Sequence, residues 1–325
     1  MAQPFDVARL KLTGEPFLAA SEVALAGSVV AVSVSHSGVL VLSSDTNPGL
    51  NTQLAWFNRD GKPLDNAAPT DRYQDFSLAP DGKRMVVALR SDLWLLDLTT
   101  SGLTHFTFDP VTDRFPVWSP DGTRIVYTRA LAYLYEKMVD GTGERQLMGV
   151  LGRPMDWSPN GHSILVRGND GDLWALTDGK PVRITQTPFN ESHAQFSPDG
   201  NWLALASDET GQSEVYVQAF PAAGERLPIS TGGGIEPRWR GDGKELFYVA
   251  PENKLMAVSV NAGAGFHHAA PKHLFDLPAI RRGDFFSFDY IVDRSGQRFL
   301  VRAPAEASKP VPITVMMNWR ALAKK

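Results

Sequence analysis

The feature that most constrains this chain is a five-residue pattern that keeps returning. It reads "VSHSG" at Val34–Gly38, "LAPDG" at Leu78–Gly82, "WSPDG" at Trp118–Gly122 and "WSPNG" at Trp157–Gly161. It continues as "FSPDG" at Phe196–Gly200, "WRGDG" at Trp239–Gly243 and "VDRSG" at Val292–Gly296. The glycines are 44, 40, 39, 39, 43 and 53 residues apart. Proline pre-sets φ at the second turn position, Asp or Asn favours the third, and Gly accepts the left-handed conformation that closes a short hairpin loop. Apolar runs flank each turn, as "FPVW" and "RIVYT" do around Asp121 and Gly122, so each copy predicts strand, turn, strand.

A second pair of strands follows each hairpin. The third strand reads "DLWLLDL" (Asp92–Leu98), "YLYEKMV" (Tyr133–Val139), "DLWALT" (Asp172–Thr177), "EVYVQAF" (Glu214–Phe220) and "KLMAVSV" (Lys254–Val260). A weaker fourth follows, as in "RQLMG" and "VRITQ". Four antiparallel strands per forty or so residues, with no long helix pattern, predict an all-β fold of radially stacked four-stranded blades, a β-propeller. One blade cannot bury both its faces, so neighbours must stack and the ring must close. Two β-sandwich domains would leave the regular period unexplained.

Seven turns predict seven blades in a single domain over 1–325, with six blades and an irregular cap as the alternative. The expected spans are 28–70, 71–110, 111–150, 151–188, 189–231 and 232–280, with 281–325 as inner strands of the closing blade. Residues 1–25 resemble the outer half of a blade and are expected to complete the last one, locking the ring.

Composition narrows the function. The net charge is -4 and the pI near 6, which argues against a nucleic-acid partner. No apolar run reaches membrane-spanning length; Val23–Val34 is short and interrupted by Gly and Ser. "MAQPFDVARLK" has no apolar signal core, so no export signal is expected in this chain. The chain has no cysteine, which excludes disulfides, thiol nucleophiles and zinc–thiolate sites.

The "SPDG" hairpins resemble the WD40-like, or PD40, repeats of TolB-type propellers. "LAWFNRDGK", "PVWSPDGTRIVY", "SDETGQSEVYVQAFP", "STGGGIEPRWRGDGKELFYV" and "PITVMMNW" also resemble the C-terminal propeller half of bacterial receptor-type serine/threonine kinases. That resemblance implies an extracytoplasmic sensor or binding propeller that is part of a longer parent. The chain lacks a glycine-rich phosphate loop with its lysine, and it lacks H-R-D and D-F-G motifs, so as given it is not a protein kinase.

Candidate site residues come from the inner strands in register. Positions four and six before each turn glycine are mostly apolar, as at Phe76 and Leu78 or Met155 and Trp157, and should pack between blades. Strand alternation then turns positions five and seven toward the channel. That set includes Asp75, Asp156, His193, Gln195, Glu236, Arg238 and Asp289, the expected ligand-binding residues at the channel mouth. His193, Glu236 and Asp289 share one level on three consecutive blades, with Asp75 at the same level on another. Blades about 10 Å apart could bring these four onto one divalent cation, calcium or zinc. The plainer alternative is ordinary hydrogen-bonded pairs beside a wet channel. His267, His268 and His273 read as a surface cluster, "STGGGIEP" as a linker rather than a phosphate loop, and "GHSIL" lacks the second glycine of a nucleophile elbow.

Two functions follow. The first is a monomeric, non-catalytic binding or sensor module that takes a protein, peptide or small polar ligand at the channel mouth. The second is a metal-dependent hydrolase of esterase, lactonase or phosphotriesterase type, with the cation held by His193, Glu236, Asp289 and Asp75.

Overall fold

The computed structural model describes residues 51–305, apart from 222–223, 263–264 and 279–286, together with short stretches within 5–43 and 313–317. The chain divides into two compact units, residues 52–304 and a second unit made of 1–51 with 305–325, where a single domain is expected from the repeat. In the second unit, Phe5–Asp6 pairs with Lys11–Leu12 and Leu25–Ala26 with Val29–Val30. The "VSHSG" hairpin joins Val32–Val34 to Val39–Ser43, and Ile313–Met317 adds a third strand.

Residues 52–304 form a β-propeller of six antiparallel blades. Blade 1 is Tyr73–Leu78, Arg84–Leu89, Asp92–Asp97 and Leu103–His105. Blades 2 and 3 share the long strand Arg145–Trp157, which is the outer strand of one and runs on as the inner strand of the next. Blade 2 adds Asp113–Trp118, Arg124–Arg129 and Tyr133–Met138; blade 3 adds Ser163–Gly168, Leu173–Thr177 and Lys180–Arg183. Blade 4 is Glu191–Phe196, Trp202–Ser207, Glu214–Ala219 and Leu227–Pro228. Blade 5 is Ile235–Trp239, Glu245–Ala250 and Lys254–Asn261, with His267–His268 and Lys272–Asp276 both paired to the third strand. The only helix among the described residues is one 3-10 turn, Pro251–Asn253.

Blade 6 closes the ring, and here the structure departs from expectation. Its inner strands are Tyr290–Val292 and Arg298–Pro304, and its outer strands are Thr52–Asn58 and Pro63–Asn66. Among the described residues the clasp lies at 52–66 and residues 52–304 make six blades; most of 1–25, expected there, lies outside the described residues. Ile313–Met317, expected within the closing blade, pairs instead with Val39–Ser43 in the other unit. The reason is local: "TQLAWFN" offers seven residues in unbroken register with Arg298–Pro304, from Arg298 opposite Asn58 to Pro304 opposite Thr52.

Each joint between blades holds one apolar cluster, because the second strand of a blade points alternate side chains at its two neighbours. Met85 and Val87 pack backward on Leu54, Trp56 and Leu300 of blade 6, while Val86 and Ala88 pack forward on Trp118, Ile125 and Tyr127. The pattern continues through the joints 2–3, 3–4, 4–5 and 5–6, so the six clusters run round the ring.

The turn letters have a packing role beyond hairpin geometry. Asp121 accepts the Ser119 hydroxyl (2.6 Å) and the Thr123 N–H (3.0 Å). Those bonds hold its carboxyl down to about 2. A Cβ built on Gly122, Gly161, Gly200 or Gly243 would lie 3.7–3.8 Å from the turn proline of the preceding blade, Pro80, Pro120, Pro159 or Pro198. The "SPDG" turns thus stack blade on blade around one end of the channel.

The acidic residue that opens the third strand is also explained. The hydroxyls of Thr107, Thr185 and Ser230 accept the N–H groups of Leu93, Leu173 and Val215. Thr185 donates to Asp172, and Ser230 to Glu214. Glu214 also accepts the N–H groups of Gly232 (2.7 Å) and Gly233 (2.8 Å), so the "STGGG" amides are already occupied as a linker.

Candidate functional site

The turn-bearing end of the channel opens into a cavity of about 680 Å3, lined by the inner strands of all six blades. Its wall takes the residue five before each turn glycine: Ser77, Val117, Asp156, Gln195, Arg238 and Ile291. Phe115, Pro116, Pro154, Met155 and Phe288 make the floor and sides largely apolar. Of the residues expected at the mouth, Asp75, Asp156, Gln195 and Arg238 line this cavity; His193, Glu236 and Asp289 do not.

His193 and Glu236 lie at a β-bulge that the alternation count could not see. In blade 4, Ser192 opposes Ala206 and Gln195 opposes Ala204, so one extra residue is inserted between them. Corresponding register shifts occur in blades 1, 2, 3 and 5. At the bulge Phe115, His193 and Glu236 take φ values of 55°, 49° and 56°, the left-handed region that costs a non-glycine residue about 1–3 kcal/mol. In blades 4 and 5 this position, His193 and Glu236, is buried away from the cavity, whereas Asp75, Phe115 and Pro154 at the same position of blades 1 to 3 still line it.

Burial and bonding follow. His193 and Glu236 are 0% exposed, Asp289 4% and Asp75 5%. Glu236 accepts the N–H of Asp289 through its carboxylate (2.7 Å) and the Tyr290 hydroxyl through its carbonyl (2.9 Å). Asp289 is held by Arg302, whose guanidinium also donates to the carbonyls of Tyr73 (3.1 Å) and Gln74 (2.8 Å) of blade 1. Asp75 receives Arg114, the Ser287 hydroxyl (2.7 Å) and the N–H of Phe115 (3.2 Å). His193 meets Ser192 through Nδ1 (3.1 Å) and the edge of Phe288 (5.0 Å between centroids).

The expected cation set is therefore not assembled. Among the described residues no three His, Asp or Glu side chains are placed to hold one metal ion, and these four serve as ties between blades. His267, His268 and His273 are exposed; His273 bonds Asp276 (2.8 Å) and His268 its neighbour's carbonyl (3.0 Å).

What remains at the cavity wall is a different group. Asp156 accepts the N–H of Phe196 (2.8 Å), and Gln195 that of Trp239 (2.8 Å), each bracing the next blade. Burial pushes the Asp156 carboxyl up to about 6, against the lowering pull of the Phe196 and Trp157 amides and of Arg238. Arg238 sits over the Phe288 ring, its guanidinium carbon 3.5 Å from the ring centroid. Burial lowers its affinity for the proton, and its Nε has no hydrogen-bond acceptor. Phe288 thus contacts both His193 and Arg238, a role that nothing in the repeat signals, because it stands just before the last inner strand.

No protein-family model matches this chain. The uncharacterized peptidase YuxL of Bacillus subtilis is 26% identical over 196 residues, 54% of this chain and 29% of that protein. An uncharacterized protein of Agrobacterium fabrum is 23% identical over 187 residues, 53% of this chain and 64% of its own length. The match thus spans less than two thirds of either curated relative. The putative TolB of Agrobacterium tumefaciens superposes with a TM-score of 0.65 at 18% identity, over 78% of this chain and 98% of that one. TolB of Acinetobacter baumannii gives 0.54 at 16% identity, over 74% and 67%. The fold is that of a TolB-type β-propeller.

Proposed function

We propose that residues 52–304 form a non-catalytic binding module whose ligand, or a segment of a partner protein, enters the cavity at the turn-bearing end of the channel. The observation that carries this reading is the cavity itself: six blades contribute one wall residue each, over an apolar floor. Several polar wall groups already serve the scaffold. Asp156 and Gln195 each hold a backbone N–H of the neighbouring blade, and Asp75 is held by Arg114 and Ser287. Groups so fixed favour orientation of a ligand over proton transfer to it. The resemblance to receptor-kinase propellers supports a sensor placed outside the membrane. Among the described residues no helix is long and apolar enough to cross one.

The test uses saturation-transfer NMR with a set of neutral and charged organic fragments. It compares the natural protein with Val117→Trp, whose indole would occupy the cavity. Fragments bound by the first and lost by the second support the module. Equal binding by both, binding by neither, or chelator-sensitive turnover of p-nitrophenyl acetate overturns it.

A further inference from the structure

We infer that Arg238 is an anion-recognition residue, and that the ligand of this cavity is an organic carboxylate attached to an apolar body. The inference rests on the binding reading above and deepens it. Its starting point is a contrast among arginines near the channel. Arg114 is paired with Asp75, Arg129 with Asp113 (2.9 Å), Arg302 with Asp289, and Arg167 donates to the carbonyl of Glu191 (2.8 Å). Arg238 donates to none of the described groups, although two carboxylates are close in sequence or space. Glu236, two residues earlier, is turned by the bulge into the joint with blade 6 and accepts the N–H of Asp289. Asp156 lines the same cavity but accepts the N–H of Phe196.

A guanidinium left in such a place is a poised donor. Its guanidinium is restrained by the contact with the Phe288 ring at a position that lines the cavity. A partly buried cation without an acceptor is costly until an anion arrives. A carboxylate meets that fork with two parallel hydrogen bonds. Charge decides between carboxylate and phosphate. The lining sets Arg238, Arg294 and Arg298 against Asp75, Asp81, Asp156 and Asp293, so it can balance one negative charge better than two. The apolar part of the ligand is set by Phe115, Pro116, Pro154 and Met155.

Hippurate, its neutral amide hippuramide and phenyl phosphate, titrated by NMR into the natural protein, Arg238→Gln and Val117→Trp, form the test. Hippurate should bind at least tenfold more tightly than hippuramide and than phenyl phosphate, with that preference lost in Arg238→Gln. Arg238→Gln should keep the natural thermal unfolding temperature or exceed it, since it removes an unpaired buried charge. Equal binding of hippurate and hippuramide, both lost in Val117→Trp, would overturn the carboxylate assignment and leave the binding cavity standing. Preference for phenyl phosphate would replace the ligand class. Hippurate binding untouched by either substitution would overturn the assignment and the cavity reading together.

Discussion

The joints among blades 1 to 5 and the joints that close the ring are built differently. Between the first five blades, a turn proline packs on the next turn glycine, from Pro80 against Gly122 to Pro198 against Gly243. A side-chain oxygen of Asp75, Asp156 or Gln195 takes a backbone N–H of the next blade. At the joint from blade 5 to blade 6 the proline is gone. Gly241 stands in its place and donates its N–H to the carbonyl of Arg294 (3.1 Å). Arg59 spans to Glu245 (2.9 Å), and Glu236 accepts the Asp289 N–H and the Tyr290 hydroxyl across the interface. From blade 6 to blade 1, Arg302 reaches two carbonyls. Neighbouring blades along the chain can use one repeated turn as a spacer. A blade assembled from strands more than two hundred residues apart in sequence, Thr52–Asn58 and Arg298–Pro304, is held by buried charge and main-chain contact instead.

The sharpest way to break this contrast is Arg302→Met. It strands Asp289 and the carbonyls of Tyr73 and Gln74 inside the closing joints, and should cost about 3–5 kcal/mol in urea denaturation. A loss under 1 kcal/mol would mean that the closing charges are ornamental. Next is Gly241→Pro, which restores the repeat motif on paper. A Cβ there meets the Arg294 backbone at 2.7 Å and the N–H bond is lost, so a loss of about 1–3 kcal/mol is expected. Pro198→Ala at a regular joint should cost less than 1 kcal/mol. A reversed order would show that the joints are equivalent.

The bulge shows where the sequence could and could not be read. The hairpins, the period and the interblade packing of Phe76, Trp118, Met155, Trp157 and Phe196 follow from apolar alternation and turn chemistry. The inner-strand bulge leaves no letter behind, since Phe115, His193 and Glu236 occupy the left-handed position without glycine. Alternation counted through it mis-aims His193 and Glu236, and Asp289 falls outside the cavity in a blade without a register shift, yet Asp156, Gln195 and Arg238, which lie between the bulge and the turn, fall on the cavity wall. The location of the clasp was hidden for another reason. The partner of Thr52–Asn58, Arg298–Pro304, is far away in the chain.

Two further effects sharpen the comparison. The Asp156 carboxyl ordinarily titrates near ~3.9 in an unfolded chain and near about 6 here. Below pH ~4 both states hold the proton; between there and 6 only the folded state does. Stability should therefore fall by on the order of 3 kcal/mol as pH rises through that window, then level off. Asp156→Asn should remove that slope in thermal unfolding measured from pH 4 to 7; an unchanged slope would assign it elsewhere. Finally, the Trp118 indole donates to the carbonyl of Ser77 (3.0 Å), whereas the Trp239 indole N–H has no acceptor. Trp118→Phe should thus cost about 1 kcal/mol more than Trp239→Phe by denaturation. Equal costs would make the indole bond irrelevant to the regular joint.

The register that seals the ring has a mechanical corollary. Thr52 sits directly opposite Pro304, so the polypeptide enters and leaves the propeller at neighbouring points on one strand pair. Tension applied through residues 51 and 305 would peel that pair apart one rung at a time, the weakest loading direction for a β ladder. A pull of that kind would open the propeller at blade 6 while the other five sheets stayed intact.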